Sequence, residues 1–446
     1  MSIEQFGYKQ ELKRALTFGD LLIYGLIYLV PIAPFGVFGY VSDASKGMVA
    51  LAYTIGMIGM IFTALSYACM SEAFPIAGSV YSYAQRGIHE YVGFIAGWAI
   101  LLDYILIPAL IYLVSAVSLT AFIPGLPLWF WLVFFILLNT AINTRGVEFT
   151  AKANKITLVL ELIVLAIFIV FGVIALQKGV NNTSFSMKPL YDANQFNFST
   201  LMGAVSIAVL SFLGFDAIST LSEEVQGGKK AVGRATILSL LIVGILFIIQ
   251  TWIASDLAKG IKIESLDTAF YQVAELAGGS WLKTLTSLAT AFSWGIASAL
   301  ASQAAISRLL FSMGRDRKLP AVLGRIHPKY RTPYISTYCV AVISFIIGII
   351  FQNHIDILTN IVNFGALTGF FLLHISVICH YVIRKRSKHY FKHLISPLLG
   401  LTVIGYVLYG MDALAIKVGI CWLLIGGIYL FFRSKVKHDK PISFDF

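Results

Sequence analysis

Residues 27–40 read IYLVPIAPFGVFGY, an apolar run broken by Pro31 and Pro34 and followed by Gly36 and Gly39. A segment that only crosses a bilayer has no use for such residues. Each proline lacks an amide hydrogen and frees the carbonyl four residues earlier, here those of Ile27 and Val30. Two such lesions backed by glycines predict an unwound stretch inside an otherwise helical span. Irregular backbone at that depth is tolerated only against protein or a water-lined cavity. A second stretch, residues 209–224, reads VLSFLGFDAISTLSEE, where Ser211, Gly214, Asp216 and Ser219 interrupt the apolar run. Two interrupted spans in corresponding places of two halves mark an inverted-repeat carrier with its site at the midplane.

The rest of the chain agrees with a membrane protein. Its 446 residues are 58% hydrophobic and 12% charged, and its mean hydropathy is +0.83. Soluble domains carry about 25% charged residues, so this composition excludes a soluble enzyme, a nucleic-acid module and a single-anchor receptor. Hydropathy predicts twelve spans, near 18–40, 48–70, 91–118, 128–145, 152–176, 199–222, 232–255, 281–312, 334–352, 356–383, 394–411 and 414–433. With both termini cytoplasmic, 26 of the 33 Lys and Arg fall on the inner side, a strong positive-inside bias. The net charge of +11 is then a matter of topology, with basic runs beside anionic lipid and no nucleic-acid partner. The first span lacks a small-residue cleavage site and reads as uncleaved. Cys69, Cys339, Cys379 and Cys421 are scattered through apolar runs, with no CxxC or Cys/His pairing that would suggest a metal.

Charges inside spans are costly and are functional candidates by default. Asp103 lies in GWAILLDYILIPALIY (97–112) without a polar partner on its own helix, and Pro108 frees the carbonyl of Tyr104 beside it. A carboxylate, a phenol and a free carbonyl on adjacent positions suit an ammonium group, to which the Tyr104 ring adds a cation–π contact. Asp103 reads equally as a structural pair with a neighbouring helix. Glu161, in ITLVLELIVLAIF (156–168), lies nine residues into its span from Lys152, about 13 Å deep. There it is either a proton-coupling group or a permanently protonated structural acid. Asp216, near Glu223 and Glu224, reads first as a gate brace for Arg308, Arg315 or Arg317. Weaker cavity candidates are Trp294 and Ser298 in the eighth span and Asn360, Asn363 and Gly365 in the tenth.

These strings resemble the amino acid–polyamine–organocation (APC) superfamily of permeases over nearly the whole chain. The resemblance is carried by FPIAGSVYSYAQR (74–86), GWAILLDYILIP (97–108), SFLGFDAISTLSEE (211–224), SRLLFSMGRDRKLP (307–320) and NFGAL (363–367). The LLDY string followed by a proline is similar to the bacterial putrescine-importer branch. The resemblance implies an all-α membrane protein of about twelve transmembrane helices in a LeuT-like five-plus-five inverted repeat with broken first and sixth spans. The first repeat would cover 18–176, the second 199–383 and two further helices 394–433, between cytoplasmic tails 1–17 and 434–446. Substrate would lie between the broken spans, lined by Ile32, Ala33, Pro34, Phe35 and Gly36 and by Ser211, Phe212, Gly214, Phe215 and Asp216, with help from Asp103, Tyr104, Trp294 and Asn363. Phe212 or Phe215 would serve as an aromatic gate.

Two departures from the superfamily pattern matter. Its GxG stretch in the first span is here PIAPFG, and Glu161 stands where proton-coupled relatives carry a lysine. The expected function is a secondary active transporter that imports a small organic cation, putrescine-like, or an amino acid, driven by protons through alternating access. The alternative is an amino acid permease or exchanger with no polyamine transport. No HExxH or other catalytic set occurs, so neither an enzyme nor a cofactor is expected. Its partners would be a small-molecule substrate, protons and the lipid bilayer.

Overall fold

The computed structural model describes residues 16–74, 79–123, 125–145, 151–223, 225, 229–315, 320–330 and 332–436. Within them the backbone is helical apart from connecting turns and one isolated bridge between Leu16 and Val225. Helix is what an apolar chain needs in lipid, because it satisfies each backbone group within its own segment.

Ten stretches among the described residues are long and apolar enough to cross a membrane. The expected sixth and ninth spans are present as shorter apolar helices, Phe198–Phe212 and Tyr334–Ile350. The sixth is short because its helix stops at the interruption that the sequence announces. The chain is therefore an all-α, multi-pass membrane protein.

The first span consists of α1 (Phe18–Leu29), a 3-10 turn (Ala33–Gly36) and α2 (Phe38–Ala44). A capping box opens α1, with Thr17 and Asp20 exchanging side-chain-to-backbone hydrogen bonds. It ends at Val30, whose φ of 46° is a strained value for a β-branched residue. Next come α3 (Val49–Ala73), α4 (Ser79–Gly87), α5 (Glu90–Phe122), α6 (Leu128–Arg145) and α7 (Ala151–Gln177).

The second interrupted span is α8 (Phe198–Ala208), a 3-10 turn (Val209–Phe212), a break at Leu213 and Gly214, and a 3-10 segment (Phe215–Glu223). Beyond it lie α9 (Lys229–Ala258), α10 (Ala269–Gly278) and α11 (Ser280–Phe292), which runs through a π turn (Ser293–Ser298) into α12 (Ala299–Arg315). The chain ends with α13 (Tyr334–Ile350), α14 (Ile355–Val377), α15 (Ser396–Tyr409) and α16 (Ala413–Val436).

Helices α5 and α14 pack against each other at the centre, while α3 lies along α9. Helices α5 and α14 are the most enclosed of the long apolar helices and α16 the least, which puts α16 at the periphery. One end of the bundle carries α4; the other carries α10 and the 178–197 connection.

Candidate functional site

The two interruptions meet. Gly214 has a φ of 105°, and a Cβ there would come within 2.9 Å of the carbonyl oxygen of Tyr28. Only glycine combines that backbone conformation with so close an approach. Unwinding leaves carbonyls to be satisfied. Gln250 of α9 donates from Nε2 to the Pro31 carbonyl at 3.0 Å, and Tyr53 of α3 shares a 3.0 Å hydrogen bond with Ser211. Neither residue stands out in the sequence. A glutamine or tyrosine within a helix gives no sign of its partner on another helix.

Beside the junction, Asp103 and Asp216 come from different helices and lie close enough to feel each other's charge. Tyr104 lies within electrostatic reach of both and of Tyr28. Tyr67 donates a 3.4 Å hydrogen bond to Asp216. Asp103 Oδ1 has no hydrogen-bond partner among the described residues, and neither carboxylate is ion-paired with a described Lys or Arg. Asp103, Tyr104, Leu213, Gly214 and Asp216 are half-buried, whereas Leu102, Phe212 and Phe215 beside them are buried. Tyr28 is 40% exposed at the same place. The gate-brace pairing of Asp216 falls partly on Glu224 and Arg317, which lie outside the described residues, as does part of the 74–86 string.

Other sequence candidates sit around this centre. Ile32, Ala33, Pro34, Phe35 and Gly36 are all buried. Trp294 is 6% exposed, and its ring lies 3.8 Å from where a Cβ on Gly36 would stand. Asn363 uses its Nδ2 on the Ser206 carbonyl at 2.5 Å, which makes it a support for α8. Phe212 packs between Tyr53 and Phe247, and Phe215 between Tyr67 and Phe370, so both are locked into aromatic clusters.

Towards α10 the junction is covered. Phe35 stacks on Phe270 with ring centroids 3.8 Å apart, and Phe38 and Phe168 meet the same ring edge-on or tilted. Tyr40 donates a hydrogen bond to Asp267, tying α2 to the turn that precedes α10. At the same end, Asp256 is fully buried and accepts from the Ser186 amide, the Ser186 hydroxyl and Lys259, pinning the 178–197 connection to α9.

Glu161 of α7 is 5% exposed and accepts a hydrogen bond from Ser293, while its Oε2 is buried without a partner among the described residues. Ser293 is the residue before Trp294, so Glu161 touches the helix that faces the first break. The sequence offers only Thr157 as a polar neighbour on the same helix and gives no sign of Ser293 as a partner. No group of described His, Cys, Asp and Glu has metal-site geometry.

A family model described as amino acid permease matches residues 15–441. The chain is 32% identical over 445 residues to the low-affinity putrescine importer PlaP of Escherichia coli (strain K12), covering 97% of each sequence. It is 25% identical over 464 residues to the branched-chain amino acid permease BcaP of Bacillus subtilis (strain 168), covering 97% of this chain and 95% of that one. A methylthioribose transporter of Bacillus subtilis (strain 168) is likewise 25% identical over 456 residues, with 96% and 95% covered.

Proposed function

We propose that this chain, which belongs to the amino acid permease family, is a proton-coupled importer of small organic cations of the putrescine type. Family membership makes it a membrane permease for small solutes and not an enzyme. One observation supports the cationic substrate: two carboxyls from different helices, Asp103 and Asp216, lie within reach of each other's charge beside the two breaks, without a cationic side chain paired to either among the described residues. Asp216 already accepts from Tyr67 and from backbone amides, but a buried carboxylate needs a partner and Asp103 Oδ1 has none among the described residues; an ammonium group from the substrate would supply it. Tyr28, Tyr67 and Tyr104 would add hydroxyls and ring faces to such a cation.

The architecture in this reading is the twelve-helix, five-plus-five inverted repeat, with α13 and the second interrupted span counted as crossings. The positive-inside bias of the twelve-span sequence reading, 26 of 33 Lys and Arg on one side, would make the α4 side, and both termini, cytoplasmic. The aromatic cover towards α10 then closes the outer path, and the space beside Asp103 is the inner vestibule of an inward-facing carrier. Glu161 is the proton group, and import follows from rocking one bundle against the other around the site.

The test is equilibrium binding of putrescine to the purified protein in detergent, alongside Asp103→Asn and Asp216→Asn. Loss of one charge-assisted hydrogen bond, ~1.5–3 kcal/mol, should weaken binding about 10- to 150-fold at unchanged thermal stability. Unchanged affinity in Asp103→Asn would move the cation site elsewhere.

A further inference from the structure

The π turn Ser293–Ser298 between α11 and α12 is held from two sides. A π turn inserts one residue into the α-helical ladder and leaves carbonyls without their usual partner; such turns occur often at functional positions. Here the Gly295 carbonyl accepts from Nδ2 of Asn139 on α6 at 2.7 Å, and the same nitrogen donates to the Phe135 carbonyl at 2.8 Å. Asn139 is fully buried. The approach of the two helices is close: a Cβ on Gly295 would stand 2.4 Å from the Phe135 ring. From the other side, Ser293 donates to Glu161. Between these two anchors sits Trp294, facing Gly36 in the first break.

Three buried polar atoms around this turn, Asn139 Oδ1, Glu161 Oε2 and Trp294 Nε1, have no hydrogen-bond partner among the described residues. Buried orphans are rare and call for an explanation. Among the described residues, the side-chain hydrogen bonds that reach this turn are those of Ser293 with Glu161 and of Asn139 with the Gly295 carbonyl.

We propose that Asn139 is a positioning residue of the carrier. It fixes the π turn in the register that brings Ser293 to Glu161 and Trp294 to the first break, and so sets the pH dependence of transport without touching the substrate. The pH part rests on the reading of Glu161 as the proton group; the register part does not.

The experiment compares wild type, Asn139→Leu, Ser293→Ala and Asn143→Leu in proteoliposomes. Asn143 is the control, since it binds the Leu300 carbonyl and Gln303 beyond the π turn. The first readout is the emission of Trp294, taken as the difference between each protein and its Trp294→Phe counterpart. The second is the pH midpoint of labelled-putrescine uptake. Asn139→Leu should shift the Trp294 emission and move the midpoint by roughly half to one pH unit, while Asn143→Leu moves neither. The double variant Asn139→Leu/Ser293→Ala should move the midpoint no further than Ser293→Ala alone, because both act through one contact. Unchanged Trp294 emission in Asn139→Leu, or an equal change in Asn143→Leu, overturns the proposal. If wild-type vesicles take up no putrescine, the substrate reading fails and the emission comparison alone decides the role of Asn139.

Discussion

Glu161 shows how far a single residue can be read from the sequence. A glutamate nine residues inside an apolar run announces itself, because charge there is costly. Its partner does not, because serines are common in membrane helices and nothing in residues 293–298 signals a π turn. Asp103 behaves the same way: its isolation is visible in LLDY, whereas its approach to Asp216 exists only once the helices pack. Gln250 and Tyr53, which hold the two breaks, are ordinary helix residues until Pro31 and Ser211 are placed beside them. The role proposed for Glu161 has its own prediction. Glu161→Gln keeps an acceptor for Ser293 but cannot change charge, so an inward proton gradient should no longer accelerate uptake, while substrate exchange without a gradient persists. Gradient-driven accumulation by Glu161→Gln proteoliposomes would make Glu161 structural.

At the scale of elements, both interruptions are legible because proline and glycine act on the local backbone. The cover formed by α10 is not, since its residues lie in a connection of mixed composition and act by meeting α2 and α7. The contact of Tyr40 with Asp267 carries a pH consequence. Burial holds the Asp267 carboxyl above its ordinary range, and the charge of Asp356 adds to this against the pull of the Tyr40 hydrogen bond. That burial exists only while α2 and the turn before α10 are together, so the closed arrangement binds the proton more tightly than an open one. Closure is therefore favoured as pH on that side of the membrane falls towards the ordinary carboxylate range and weakens as pH rises through the elevated value. Spin labels on Asp43→Cys and Glu264→Cys, in a chain cleared of its four native cysteines, report the spacing. The short-distance population should grow as pH falls, and Asp267→Asn should hold it at the low-pH level at every pH. A spacing that still follows pH in Asp267→Asn would assign the effect to another group.

At the scale of the whole molecule, the chain buries its centre and leaves its edge to lipid, with α5 and α14 enclosed and α16 peripheral. The two breaks lie at that centre, covered towards α10 by four aromatic rings and flanked by the carboxyls of Asp103 and Asp216. In the proposed carrier the covered side is the shut path and the side of the two carboxyls is the open one. Labelled-putrescine uptake into proteoliposomes, with and without an inward proton gradient, decides whether the protein imports a small organic cation driven by protons. The expected result is uptake that the gradient accelerates, that di- and polyamines block and amino acids do not, and that Asp103→Asn abolishes. Contradiction would be an absence of putrescine uptake by protein that exchanges an amino acid in the same vesicles.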